Sequence, residues 1–183
     1  MFSDERLARG VQQGRAEDLT ALVERHHGPL LGFVYRMTGG DRALAEDLAQ
    51  ETFLRTLRAI GQYQYPRPFK PWLYAIATNL ARDYYKQAEI RHADSAGDVE
   101  ADSEASRHGS GPEDQVIAEM EARNVAAAIG ALPAHQREAV ILRYYQDLSL
   151  AEIAETLGVP VGTVKSRLSL GLRRLRAILG EEL

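Results

Sequence analysis

Residues 149–168, SLAEIAETLGVPVGTVKSRL, decide the fold of the C-terminal part of the chain. Ser149 followed three residues later by Glu152 has the pattern of a capping box, which begins a helix. Gly158 can adopt the left-handed conformation that ends a helix. Pro160 suits the first turn of a following helix, because its missing N–H would have no helical partner there. The stretch therefore predicts two short helices joined by a glycine turn.

The second of these helices is polar and basic on its outer side. Val164 and Leu168 are expected to pack inward. The side chains expected to point outward are Thr163, Lys165, Ser166 and Arg167. This combination is typical of a helix-turn-helix, which places its second helix in the major groove of DNA. An ordinary helical hairpin within a bundle is the alternative, and the basic, hydroxyl-rich surface makes it the weaker one.

The composition of the 183-residue chain is that of a globular protein, with 45% hydrophobic residues. This length suits one large or two small domains. No apolar run approaches the roughly 18 residues of a transmembrane helix, and the N-terminal MFSDERLARG lacks the apolar segment of a secretory signal. There are no cysteines, so disulfides and thiolate metal sites are excluded. We therefore expect a cytoplasmic protein without membrane insertion.

The net charge of −4 is distributed unevenly along the chain. Residues 94–114 carry seven carboxylates and one arginine, for a local charge of −6. Residues 55–91 carry seven basic and two acidic side chains, for a local charge of +5. The mean charge thus conceals basic blocks that are compatible with binding to nucleic acid.

The acidic segment separates two predicted helical domains. Residues 92–114 have almost no large apolar side chain, so burial cannot offset their ordering entropy. They are predicted to form a flexible acidic linker. The fold class is predicted to be all-α, with an N-terminal helical bundle over residues 1–91 and a C-terminal helix-turn-helix domain over residues 115–183.

Helix breakers and caps divide these domains further. Gly28-Pro29 is expected to break or kink the first long helix. Asp41 is a good N-cap for a helix that continues to about Ile60. The other predicted helices cover about residues 72–91, 115–130 and 134–145.

The predicted helix after Asp41 has two different faces. Its apolar side chains, expected to lie broadly inward, are Leu44, Leu48, Phe53, Leu57 and Ile60. A different face carries the polar side chains Glu46, Asp47, Gln50 and Glu51. Such a face is usually only solvated. It becomes a candidate partner-binding face because the same domain carries a candidate nucleic-acid site.

That candidate site is a cluster of aromatic residues within the basic block. Residues 63–85 contain seven aromatic side chains, namely Tyr63, Tyr65, Phe69, Trp72, Tyr74, Tyr84 and Tyr85. Aromatic rings on a cationic surface suit single-stranded nucleic acid, because bases stack on the rings while Lys and Arg hold the phosphates. The alternative is that the rings fill the core, and we assign about half of them, Tyr74 especially, to packing.

A metal-binding bundle is the alternative from another class of protein. Glu24 with His27, and Glu89 with His92, have the Glu-x-x-His spacing of carboxylate-bridged di-iron bundles. Neither pair has an evident partner glutamate on a companion helix. The P-loop, H-E-x-x-H and G-x-S-x-G motifs are also missing from the sequence. We therefore expect no metal, no cofactor and no enzymatic activity.

Three long motifs give the sequence a resemblance to a known family. These are AEDLAQETFLRTLRAI at 45–60, FKPWLYAIATNL at 69–80 and LPAHQREAVILRYYQDLSLAEIAETLGVPVGTVKSRLSLGLRRLRAIL at 132–179. Together they resemble the extracytoplasmic-function (group IV) bacterial sigma factors. The resemblance implies a protein that binds core RNA polymerase, directs it to promoters and promotes opening at the −10 element. It also implies an anti-sigma protein as a further partner.

The resemblance assigns roles to particular residues. The residues implied to bind the polymerase are Glu46, Asp47, Gln50 and Glu51. Those implied to bind the melted −10 element are Tyr63, Phe69, Lys70, Trp72, Asn79, Arg82 and Lys86, with Asn79 bordering the pocket for an extruded base. Those implied to bind the duplex −35 element are Arg143, Pro160, Thr163, Lys165, Ser166 and Arg167. The loop 62–68 and the pair Ser169-Leu170 depart from the family pattern, so the promoter sequence stays open. A helix-turn-helix regulator that acts without core polymerase is the alternative function.

Overall fold

The structure is a computed structural model that describes residues 2–94 and 123–180, with side chains described as far as residue 88 in the first range. Within these ranges the regular structure is helical and no strand is present, which confirms the all-α class. The N-terminal half (2–94) consists of α1 (Asp4–Gln12), α2 (Ala16–Met37), α3 (Arg42–Ala59), a 3-10 turn (Ile60–Gln62) and α4 (Phe69–Asp94). The C-terminal half (123–180) consists of α5 (123–130), α6 (Ala134–Tyr144), α7 (Leu150–Leu157) and α8 (Val161–Leu179). The predicted linker from residue 95 onward, and the predicted helix over 115–122, lie outside the described residues.

The predicted helix caps are confirmed. The Asp41 carboxylate accepts a hydrogen bond from the backbone N–H of Leu44 at 3.0 Å and begins α3. Ser149 and Glu152 form the reciprocal capping box of α7. Gly158 ends α7 in the left-handed conformation, with φ 66° and ψ 36°. These local signals fix the helix-turn-helix because each satisfies backbone groups that a helix end would otherwise leave unpaired.

The predicted break at Gly28-Pro29 is absent. The single helix α2 continues through Pro29 from Ala16 to Met37. Buried side chains lie on both sides of the proline, with Leu22 before it and Leu30 and Phe33 after it. Packing along this continuous face outweighs the roughly 3 kcal/mol by which an interior proline disfavours a helix.

The inward orientation predicted for Leu57 is wrong, because this side chain is 42% exposed. The buried row of α3 passes instead through Thr52 and Thr56. Each threonine hydroxyl donates to the carbonyl four residues earlier, both at 2.7 Å. A hydroxyl satisfied in this way can enter the core. The buried face is therefore rotated away from Leu57.

One hydrophobic core runs through both halves. Its N-terminal members include Leu30, Phe33, Met37, Leu48 and Tyr74, and its C-terminal members include Ile129, Leu132, Ile141, Leu142 and Ile153. A smaller second cluster joins α1, α2 and the start of α4, and consists of Leu7, Ala8, Leu22, Tyr63, Phe69 and Leu73. The two halves that the sequence separates by an acidic segment are thus packed against each other.

In the part of the chain that the structure describes, no helix has both the length and the apolar character needed to cross a membrane.

Candidate nucleic-acid interface

The second helix of the helix-turn-helix, α8, is anchored by three buried positions. Val164 and Leu168 are buried as predicted, and Gly171 is buried against α6. A Cβ atom at Gly171 would lie 2.9 Å from the Val140 side chain, so glycine allows α8 to approach α6 closely. The anchoring fixes which side of α8 faces solvent.

The solvent side of α8 carries polar groups at the N-terminal end of the helix. Lys165 and Ser166 are exposed, and Thr163 is half-buried. The Ser166 hydroxyl donates to the Thr163 carbonyl at 2.9 Å. Pro160 is exposed and precedes the helix at the N-cap position. These four predicted DNA-binding positions therefore share the accessible first turns of α8.

The two arginines predicted for the same surface lie differently. Arg143 is exposed, and its guanidinium donates to the Leu148 carbonyl at 3.0 Å, bracing the loop before α7. Arg167 is half-buried, and its Nη1 atom is buried without a hydrogen-bond partner among the described residues. The structure thus brings Arg143 and Lys165 to the surface and directs part of Arg167 inward.

Three of the predicted −10 residues form one aromatic cluster. The rings of Tyr63, Phe69 and Trp72 have centroids 5.2 to 5.8 Å apart. Tyr63 and Phe69 are only 4% and 2% exposed, and Trp72 is half-buried. Burial, and then the charges of Glu5 and Asp4, raise the pKa of Tyr63 to about 12. Tyr63 and Phe69 therefore hold the start of α4 in place, and Trp72 is the member with accessible surface.

The remaining predicted −10 residues divide between two sides of α4. Asn79 and Lys86 are exposed and lie seven residues apart, as Asn79 does from Trp72, so the three share one side of the helix. Lys70 and Arg82 instead contact the C-terminal half. The Lys70 ammonium lies 2.5 Å from the Gln146 carbonyl, and Arg82 forms two hydrogen bonds with Glu138 at 2.6 and 2.5 Å.

The polar face of α3 is accessible, as predicted. Glu46, Asp47 and Gln50 are exposed and Glu51 is half-buried. Arg42 pairs with Glu46 at 3.0 Å and Arg55 with Glu51 at 2.9 Å. Asp47 and Gln50 lie between these two pairs in the sequence, and their side chains are exposed to solvent.

Two exposed leucines extend this face and were missed by the sequence reasoning. Leu54 and Leu57 are 44% and 42% exposed. They follow Asp47 and Gln50 at helical spacings of three, four and seven residues, which would have placed them on the same face. The candidate partner surface, hereafter the α3 face, therefore consists of Asp47, Gln50, Leu54 and Leu57.

The metal-binding alternative gains no support from the side chains that the structure describes. Among them, no three His, Cys, Asp or Glu residues lie together as a metal site. Glu24 and His27 are exposed, and the His27 ring stacks on Phe53 with centroids 6.4 Å apart. The side chains of Glu89 and His92 lie outside the described ones.

Comparison with known families assigns both halves. Residues 22–90 match the family Sigma-70 region 2, and residues 122–175 match Sigma-70, region 4. These are the half with the α3 face and the half with the helix-turn-helix. These two matches define a transcription initiation factor, and the chain belongs to the sigma-70 family.

Curated relatives narrow the assignment to the ECF RNA polymerase sigma factors. SigW of Bacillus subtilis is 34% identical, over 91% of this chain and 91% of its own length. BldN of Streptomyces coelicolor is 34% identical over 96% of this chain, which spans 66% of the length of BldN. CnrH of Cupriavidus metallidurans is 32% identical over 97% of this chain and 94% of its own length.

Solved structures agree with this fold. CnrH in complex with the cytosolic domain of CnrY superposes with a TM-score of 0.73 at 26% identity, covering 98% of this chain and 99% of CnrH. RpoE in complex with the anti-sigma factor NepR from Bartonella quintana superposes with a TM-score of 0.68 at 24% identity, covering 92% and 100%. The second comparison concerns the fold alone.

Proposed function

We propose that this ECF sigma factor uses three separate surfaces to bind core RNA polymerase, recognise a promoter and promote its opening. The α3 face binds the polymerase. The side of α4 with Trp72, Asn79 and Lys86 receives the melted −10 strand. The exposed first turns of α8 read the −35 duplex. The observation that carries the proposal is the match of both halves, in chain order, to the family's two promoter-recognition regions.

The α3 face suits a protein partner. Its two exposed leucines, Leu54 and Leu57, lie beside Asp47 and Gln50, so apolar surface is rimmed by polar groups. Exposed apolar side chains within a polar rim are typical of protein–protein interfaces. Because all four side chains are exposed, a partner can bind this face without any change in the core.

The α4 side suits single-stranded DNA. Trp72 offers part of a ring for stacking, Lys86 offers a charge for a phosphate, and Asn79 offers an amide that can donate and accept hydrogen bonds. An extruded base needs apolar contact on its faces and hydrogen-bonding groups at its edge. The three side chains supply these groups along one line of the helix.

A protein partner that holds the factor inactive is part of the proposal. The relative CnrH has been solved with the cytosolic domain of CnrY bound to it. We propose that the present chain likewise binds a protein partner, which holds it inactive, and that it acts in the cytoplasm as a non-catalytic partner of the polymerase. Since the chain contains no cysteine, a thiol-based signal would have to be sensed by the partner.

Run-off transcription with added core polymerase tests the proposed function. We expect promoter-dependent transcripts from duplex templates with the wild-type chain. Asn79→Ala should reduce transcription from duplex promoters severalfold and leave pre-melted promoters nearly unaffected, since extruding a base costs a few kcal/mol only when the duplex is intact. Asn124→Ala, which removes an exposed amide from α5, is the control. Wild-type activity of Asn79→Ala on both templates would contradict its assignment, and no transcription with the wild-type chain would contradict the function.

A further inference from the structure

One row of side chains on α4 faces the C-terminal half and is partly covered by it. Lys70, Tyr74, Thr78 and Arg82 are spaced four residues apart and therefore lie on successive turns of one helix surface. Tyr74 and Thr78 are 0% and 1% exposed. We refer to these four residues as the α4 row. Its coverage matters because Lys70 and Arg82 belong to the residues predicted to bind −10 DNA.

Two residues of the C-terminal half provide the polar contacts to this row. Gln146, just beyond α6, accepts a hydrogen bond from the Tyr74 hydroxyl through its side chain and contacts the Lys70 ammonium through its carbonyl. Its side-chain amide also donates to the Pro29 carbonyl at 3.2 Å. Gln146 is 3% exposed, so a single buried glutamine joins α2 and α4 to the C-terminal half.

Glu138 on α6 forms the strongest of these contacts. Its carboxylate accepts two hydrogen bonds from the Arg82 guanidinium in a bidentate arrangement, at 2.6 and 2.5 Å. Glu138 is 1% exposed although it is an acidic residue. Charge-assisted bidentate pairs are among the strongest hydrogen bonds in proteins. A buried carboxylate needs a partner, and for Glu138 that partner is Arg82 of the other half. This pairing indicates that the contact between the halves is specific.

Further contacts surround the row. Arg137 on α6 donates to the Met37 carbonyl at 2.6 Å. The guanidinium of Arg36 stacks on the ring of Tyr145, 3.8 Å from its centroid. The Thr156 hydroxyl on α7 lies 3.3 Å from the Pro71 carbonyl. The halves are therefore joined by specific polar contacts as well as by their shared core.

The interface also contains polar groups that it leaves unsatisfied. Among the described side chains, the Thr78 hydroxyl and the Nε atom of Arg137 are buried without a hydrogen-bond partner. Unpaired buried donors favour any arrangement that returns them to water or to a ligand. The contact therefore combines strong pairs with buried donors that have no protein partner among the described residues.

From this geometry we propose that the C-terminal half acts as an intramolecular latch, which occupies the α4 row in the free protein and must leave it before −10 DNA can bind. The Nε and Nη2 donors of Arg82 that pair with Glu138 cannot bind a phosphate at the same time, and one donor of Lys70 is likewise engaged. Nucleic acid and two residues of the C-terminal half, Glu138 and Gln146, therefore compete for the same cations. This inference rests on the proposed role of Lys70 and Arg82 in DNA binding.

Glu138→Gln is the variant that tests the latch, because Glu138 belongs to none of the proposed binding surfaces. The change keeps the shape of the side chain and removes the charge that holds Arg82. The full chain contains no cysteine, so spin labels can be attached at Glu24→Cys and Ala177→Cys, which are exposed positions in the two halves. We expect a narrow distribution of distances in the otherwise unchanged chain and a broader, longer one with Glu138→Gln.

Binding of a random-sequence single-stranded DNA oligonucleotide provides the second measurement, made without polymerase. The apparent Kd varies inversely with the fraction of open protein, so Glu138→Gln should lower it about fivefold or more. The matched control is Asp147→Asn, which removes one exposed negative charge from the same half. This control accounts for the general gain in DNA affinity that follows any loss of negative charge.

Tyr74→Phe provides an independent variant, because it removes the hydrogen bond to Gln146 and retains the buried ring. Increased distances together with tighter DNA binding in either folded variant, beyond the effect of Asp147→Asn, would support the latch. Wild-type distances in both variants would overturn it, and so would opening without tighter binding. Transcription by the wild-type chain is measured separately, and its failure would contradict the proposed function whatever the distances show.

Discussion

Glu152 stabilises the start of α7 as part of the capping box. Its carboxylate accepts hydrogen bonds from the hydroxyl of Ser149 at 2.7 Å and from the Ser149 N–H at 2.8 Å. These two bonds, in that order, hold the pKa of Glu152 below its ordinary value of 4.5. The ionised carboxylate is thus preferred in the folded protein. Its contribution to stability is complete above the ordinary pKa and is lost as the pH falls through the lowered one.

Replacing Ser149 with alanine should lower the stability of the C-terminal half by about 1 kcal/mol, since the hydroxyl that caps α7 and donates to Glu152 is lost. For a chain of this size, the expected decrease in Tm is about 2–4 °C. Thermal unfolding followed by circular dichroism near neutral pH measures it. The difference from wild type should shrink as the pH falls below the ordinary pKa of glutamate.

Ser169→Ala provides the control for this comparison, because Ser169 is exposed within α8. Alanine is the better helix former there, so the Tm should stay unchanged or rise slightly. Equal effects of the two substitutions would show that the capping box contributes nothing measurable.

At the scale of single helices, α3 shows which parts of the site the sequence can predict. Periodicity identified the helix and its polar side correctly. It misplaced Leu57 because leucine is expected inside. In this helix the buried positions are instead occupied by Thr52 and Thr56, whose hydroxyls donate to backbone carbonyls of the same helix. The composition of a helix indicates that a buried face exists. Which residues form it depends on the partners that pack against them.

The double variant Asp47→Ala, Gln50→Ala should weaken binding to core polymerase and leave the free energy of unfolding within about 0.5 kcal/mol of wild type, because both side chains are exposed. A pull-down or titration with core polymerase measures binding. Gln13→Ala with Glu24→Ala, two exposed positions that do not lie on α3, is the control pair. Unchanged affinity of the first variant would remove the α3 face from the polymerase contact.

Helical geometry separates two basic residues on α8. Lys165 and Arg167 are two positions apart, hence about 200° around the helix, and cannot both face the groove. Lys165 is exposed, whereas Arg167 has a buried guanidinium nitrogen. This difference supports the expectation that Lys165, with Ser166, reads bases.

Lys165→Ala or Ser166→Ala should therefore relax selectivity at one −35 position by about 1–3 kcal/mol. Arg173 is an exposed cation farther along α8. Arg173→Ala should instead weaken binding to all DNA sequences alike and reduce the salt dependence of binding. Competition among −35 variants of one duplex measures both effects. If neither Lys165→Ala nor Ser166→Ala alters the order of preference, the proposed orientation of α8 is wrong.

At the scale of the whole molecule, the association of the two halves was not predictable from local patterns. Arg82 and Glu138 are 56 positions apart, and Tyr74 and Gln146 are 72 positions apart. The hydrophobic periodicity of a helix shows which of its faces is buried, but it does not show which distant residue packs there. The same applies to the aromatic block, where sequence indicated that some rings are buried and only packing determined that Tyr63 and Phe69 are among them.

Limited proteolysis of the free protein should cut between about Arg91 and Asp114, the segment predicted to be a flexible linker. Because the halves share a hydrophobic core, the two fragments should then elute together in size-exclusion chromatography. Addition of moderate urea should separate them before either half unfolds. Resistance of this segment equal to that of the flanking helices would contradict the prediction of a flexible linker.

The close approach of Gly39 and Gly130 leaves no space for a side chain on Gly130. A Cβ at Gly130 would lie 2.7 Å from the Cα of Gly39, and this obstacle is backbone that cannot rotate aside. Gly130 lies at the end of α5 without a positive φ, so alanine suits its local conformation. The methyl group of Gly130→Ala should therefore leave the C-terminal half folded and push it away from the N-terminal half. The spin-label distances of Gly130→Ala in the full chain would show whether this pair of glycines sets how closely the molecule can close.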